Sequence, residues 1–84
     1  MKISDAANTA IPAYLVLREM GFDVRVNRSA DGESWHATRG EHEYSAEDTV
    51  TLLGLVAMHE ARGQDWKATD EQIDAFTAEY YSKS

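Results

Sequence analysis

The residue types able to do chemistry in this chain are histidines and carboxylates, because it contains no cysteine. Disulfides, thiolate catalysis and cysteine-based zinc or iron–sulfur sites are thereby removed. His36 and His42 lie on adjacent strands joined by a tight turn, so they are the first pair to test for metal ligation. Strict alternation sends His36 outward and His42 to the same side as Tyr44. Only a bulge at Gly40 would bring the two together, with Glu41 or Glu43 adding a carboxylate. His59-Glu60 lacks the second histidine four residues on that a zinc-peptidase helix requires. The expectation is ordinary surface or half-buried histidines and no metal site.

Nucleophilic catalysis finds no better support. Ser29, Ser34 and Ser45 fall in turns or at strand ends, and none sits in a Gly-x-Ser-x-Gly elbow. Thr49 and Thr51 belong to a helix start, as do Glu47 and Asp48. The glycines are dispersed, so no phosphate-cradling loop exists. A chain this short also has little room for a deep pocket. The sequence therefore reads as a non-enzyme with no catalytic, cofactor-binding or metal-binding residues.

Charge is placed unevenly. Through Gly40, five acids face five bases; beyond it ten acids stand against Arg62, Lys67 and Lys83, so the net charge of −7 belongs to the second half. Such a surface repels phosphate, which argues against direct nucleic-acid binding. Asp70, Glu71, Asp74 and Glu79 form an acidic surface along one helix. It serves solubility, or imitates a phosphate row to block a nucleic-acid-binding protein. A second candidate surface is the outer sheet face carrying Arg25, Asn27, His36, Thr38 and Glu43, suited to directed polar contacts with a protein partner or a second copy.

The elements that must position these residues follow from periodicity. Val50–Met58, continuing to Gly63, is the longest apolar run, and its apolar side chains occur nearly all round at helical spacing. It predicts a helix covered on several sides by the rest of the chain. At roughly nine residues the run is far short of the ~20 needed to span a bilayer. The N-terminus lacks the apolar segment of a signal peptide. The expectation is a cytoplasmic protein with no membrane partner.

A first helix is expected over Thr9–Met20. Either Thr9 is its N-cap and Pro12 lies in the first turn, or the helix begins at Ser4 and Pro12 kinks it. Its apolar stripe is Ile11, Tyr14, Leu15 and Leu17, and Gly21 closes it. Phe22–Arg28 alternates at period two, with Phe22, Val24 and Val26 inward. A turn at Ser29–Glu33 built on Asp31-Gly32 leads to the strand Ser34–Arg39, with Trp35 and Ala37 inward. Gly40 turns the chain into a short third strand, His42–Ser45, with Tyr44 inward.

Ser45 or Asp48 caps the central helix, and Gly54 within it suggests close approach by a neighbouring backbone or by Trp35. After Gly63, Trp66 is expected to plug one edge of the core. Thr69 with Gln72 forms a capping box for the last helix, whose inner stripe is Ile73, Phe76, Thr77 and Tyr80. This order predicts one α+β domain over residues 1–84, with 1–8 and 82–84 frayed. Its fold is a two-layer sandwich: helix, three-stranded antiparallel meander, two helices. The function expected of it is non-enzymatic protein–protein contact, as a homodimer. The alternatives are the acidic DNA-mimic inhibitor and, behind it, a small metal-binding or hydrolytic protein.

Overall fold

The structure, a computed structural model, describes residues 1–4 and 8–81. A helix α1 (Ala10–Glu19) precedes three strands, β1 (Asp23–Ser29), β2 (Gly32–Arg39) and β3 (His42–Ala46). Then come α2 (Thr49–Arg62), a short 3₁₀ turn (Gly63–Asp65) and α3 (Asp70–Tyr80). This is the expected α+β order. The sheet is an antiparallel meander, β1-β2-β3, paired without a break in register.

That register decides the two sheet faces. Val24, Ala37 and Tyr44 lie in one row, and Val26, Trp35 and Ala46 in the next, all on the face covered by α1 and α2. Gly40 adopts φ +62 in the two-residue turn between Arg39 and His42, a conformation an L side chain rarely takes. No bulge forms there, so alternation carries intact into β3.

The core is Leu17, Phe22, Ala37, Leu52 and Val56, with Met20, Val24, Trp35, Tyr44, Ala46 and Leu53 packed around it. α2 packs beside α1 on this sheet face and is covered by both sheet and α1, although Val50 and Met58 remain outside the cover. Thr49 is buried, and its hydroxyl donates to the Ala10 carbonyl at 2.7 Å, tying the N-termini of α1 and α2 together. Arg39 joins three elements. Its guanidinium donates to the Met20 carbonyl at 2.8 Å and to Glu60 at 3.0 Å, and lies 4.3 Å from the Phe22 ring centroid.

Several expectations need correction. α1 starts at Ala10 with Pro12 in its first turn and no kink imposed there; a start at Ser4 would run through residues outside those described. Its buried positions are Ala13 and Leu17, one helical turn apart, whereas Ile11 is 61% and Leu15 49% exposed. Ile11 and Leu15 of the expected stripe are therefore largely uncovered, and Tyr14 is half-buried. Leu17 packs in the core with Phe22, and Met20 lies against them. Gly54 has nothing within 4 Å of where a Cβ would sit, so no neighbour demands the glycine. Asp48, not Ser45, caps α2.

The largest correction is α3. It has the capping box expected of Thr69 and Gln72, yet no residue in it is buried. Ile73 is 50%, Phe76 55% and Tyr80 65% exposed, so the stripe expected to face the core faces solvent. α3 packs extensively against no other element, and a single Arg62–Gln72 hydrogen bond of 3.2 Å ties its side chains to α2. The radius of gyration, 15.7 Å, reflects this projection. A compact chain of this length would have about 12 Å.

Two carboxylates give the fold a defined response to acid. The Thr51 backbone N–H donates to Asp48 at 2.7 Å and, with the Thr51 hydroxyl, holds the Asp48 pKa below its usual value. Arg28 at 2.8 Å and then the Trp35 indole N–H do the same for Glu33. A carboxylate whose folded pKa is depressed contributes stability above its unfolded pKa and loses it as pH falls through the folded one. The urea midpoint is thus expected to hold from neutral pH to about pH 5 and to decline below about pH 4. Asp48→Asn keeps a capping oxygen without the charge and should flatten that decline. An unchanged slope in this variant would remove Asp48 from the account.

Candidate functional site

The edge strand β3 and the C-terminal half of α2 enclose a half-open cleft of about 300 Å³, closed at one side by Trp66. Alternation along β3 puts His42 and Tyr44 on the helix-facing side, and Leu55 and His59, one helical turn apart on α2, meet them there. The Tyr44 hydroxyl and His59 Nδ1 share a hydrogen bond of 2.7 Å. Phe22 meets the Tyr44 ring edge-on at 5.7 Å between centroids. The His59 ring lies 5.6 Å from Tyr44 and 5.7 Å from His42. A continuous line of rings thus runs from the buried Phe22 to the exposed His42.

Trp66 does not plug the core as expected; it is half-buried and lines this cleft. The juxtaposition of His42 with His59 is absent from the sequence reading, which paired His42 with His36 instead. Period-two alternation already assigns His42 to the helix side. The position of His59 opposite it depends on how α2 lies across the sheet, which no local signal carries.

The outer sheet face is built as expected. Arg25, His36 and Ser45 form one row across it, Asp23, Thr38 and Glu43 the next, and Asn27 lies opposite Ser34. His36 is held at both nitrogens, Nδ1 2.8 Å from Ser45 Oγ and Nε2 3.2 Å from Ser34 Oγ. A serine hydroxyl so close to imidazole has the spacing of an activated nucleophile. Here the second nitrogen also meets a serine, so no carboxylate orients the ring, and the pair stands on an open face without a pocket. Arg25 is engaged with Asp23 at 3.1 Å. His36 and His42 lie on opposite faces and do not approach each other. Among the described residues no group of three His, Asp or Glu side chains converges to hold a metal ion.

A second hollow, about 270 Å³, opens between α1 and the sheet and is lined by Ala10, Ile11, Tyr14, Trp35 and Thr49. It adjoins the exposed apolar side chains Ile11, Leu15 and Val16 of α1. On α3 the acidic residues Asp70, Glu71, Asp74 and Glu79 are all exposed, on the same helix as the uncovered stripe. The Phe76 and Tyr80 rings, 5.0 Å apart, cover each other only in part. No helix among the described residues is long and apolar enough to cross a membrane. Comparison of the chain with protein-family models, with curated proteins and with solved structures found no match in any of the three, so these surfaces are read from their own geometry.

Proposed function

We propose that the protein works by protein–protein contact as a homodimer, in which α3 of each protomer lies along α1 of the other. The observation that supports this reading is the uncovered stripe Ile73–Phe76–Tyr80 on a helix with no extensive packing in its own chain. A helix of 11 residues is marginal in water when nothing covers it, below the ~12–15 residues at which isolated helices begin to persist. Capping and dipole interactions help α3, but a covered apolar face is what holds such helices in proteins.

Charge selects the surface that covers it. α3 carries Asp70, Glu71, Asp74 and Glu79 and no base, so laying two copies of α3 together would set like charges side by side. α1 carries only Arg18 and Glu19, and its solvent side presents Ile11, Leu15 and Val16 beside the hollow at Trp35. An aromatic side chain of α3 fits such a hollow. Aromatic side chains bury roughly 150–250 Å² each when fully covered. The half-exposed stripe and its receiving face would therefore remove on the order of 700 Å² per protomer, close to the ~800 Å² of a standard interface. The outer sheet face suits contact less well, since its Arg25 and His36 are already hydrogen-bonded within it.

Sedimentation at two protein concentrations tests the reading. The expected result is a mass that rises towards twice the monomer with concentration and persists at high salt, because the contact is mainly apolar. A strict monomer at high concentration would overturn it. A second reading, an acidic mimic of nucleic acid, is favoured by the unbroken negative charge of α3 alone. It predicts instead binding to a basic partner that weakens steeply with salt and with charge reversal at Asp70, Glu71 and Asp74.

A further inference from the structure

We propose that His42 and His59 together bind one divalent transition-metal ion, of the class formed by copper, nickel and zinc, at the mouth of the β3–α2 cleft. The spacing of the two rings carries the inference. An imidazole binds such an ion at a metal–nitrogen distance of about 2.0–2.1 Å, which puts its ring centroid roughly 3.2 Å from the metal. Two imidazoles at a tetrahedral or slightly wider angle then have centroids roughly 5–6 Å apart. The His42 and His59 centroids are 5.7 Å apart, with their planes inclined by 52°. Little movement is needed for both to reach one ion.

The surroundings of His59 support the same assignment. Its Nδ1 is taken up by the Tyr44 hydroxyl at 2.7 Å, which leaves Nε2 as the nitrogen able to coordinate. Fixing one ring nitrogen through a neighbouring oxygen orients the ring and raises its quality as a ligand. Tyr44 is itself anchored by the buried Phe22. His42 is exposed, so it can turn towards an arriving ion without disturbing the core. With no third His, Asp or Glu converging there among the described residues, the remaining positions on the ion stay open to water or to an outside donor. Two imidazoles favour copper over nickel and zinc. His36 offers no such site, since serines meet both its nitrogens on the other face of the sheet.

Trp66 lines the same cleft and supplies the readout. The full chain is titrated with copper(II) chloride alone while tryptophan emission is followed. Saturable quenching by one equivalent is expected, lost in His42→Ala and lost in Trp66→Phe, whose remaining Trp35 lies under α1. Tyr44→Phe should weaken the apparent affinity by roughly tenfold, as loss of an orienting partner does. Circular dichroism confirms that each variant is folded, and His59→Ala serves in place of His42→Ala if the latter is not. In a parallel NMR titration with zinc chloride, the His42 and His59 imidazole signals move and those of His36 do not. Quenching that is absent, that fails to saturate, that survives His42→Ala or its replacement His59→Ala, or that is accompanied by an equal shift of His36 would overturn the proposal.

Discussion

Leu52→Ala is expected to remove most of the stability of this protein, whereas Leu15→Ala, the same chemical change on the neighbouring helix, should cost less than about 1 kcal/mol. Leu52 is fully buried, one of three large side chains in that state with Leu17 and Val56. Truncating a buried leucine to alanine costs about 2–5 kcal/mol, from lost transfer energy and from the cavity left behind. The upper part of that range applies where the walls cannot collapse. Leu52 belongs to the buried cluster of Leu17, Phe22, Ala37 and Val56, where removing its side chain leaves a cavity. A domain of this size has only about 4–12 kcal/mol in total. Leu15, half-exposed on α1, leaves no such cavity. Urea unfolding of the two variants, followed by far-ultraviolet circular dichroism, checks the difference. Equal losses would mean that α1 is rotated about its axis from the orientation described here, with Leu15 inward.

The second large effect concerns association. The double substitution Phe76→Ser, Tyr80→Ser is expected to abolish the proposed homodimer while leaving the unfolding midpoint of the monomer nearly unchanged. Buried aromatic anchors at interfaces typically cost about 2 kcal/mol or more each when truncated. Two in each arm, with both arms affected by symmetry, should weaken the dimer by more than about 10³-fold. Neither side chain contributes to the core of its own chain, so the fold does not depend on them. Sedimentation and urea unfolding measured on the same samples separate this variant from Leu52→Ala, which should lose fold and association together. Ile11→Ser, on the receiving face, should weaken the dimer from the other side. A double variant that still sediments as a dimer would move the contact away from α3, with the outer sheet face of Arg25, Asn27, His36, Thr38 and Glu43 as the surface left to test.

Much of the architecture was legible because it is encoded locally. The alternation placed Val24, Val26, Trp35 and Ala37 on the inner face and Arg25, Asn27, His36 and Thr38 on the outer one. The strands reach further, into the expected turn at Ser29, Gly32 and Glu33, and the unbroken register at Gly40 then placed His42 with Tyr44. Thr69 and Gln72 marked the start of α3 through a capping box closed within four residues of chain. Asp48 and Ser45 were both acceptable caps for α2. The choice went to Asp48 because β3 continues through Ala46 and leaves Ser45 paired to His36 in the sheet.

The sequence by itself determined the element order, the two faces of the sheet, the start of α3 and the asymmetry of charge. Each of these depends on a period or a cap, interactions between residues a few positions apart. Only the tertiary structure decided what covers what. Burial is non-directional and roughly proportional to area, so a stripe such as Ile11–Leu15 or Ile73–Tyr80 records that a face is apolar without recording what lies against it. The crossing of α1 over the sheet chose Ala13 and Leu17 for the core, α3 was left without extensive cover from the body, and the path of α2 across β3 set His59 beside His42. Those contacts join positions far apart in the chain, and the surfaces proposed to act, the bare stripe of α3 and the histidine pair of the cleft, arise from them.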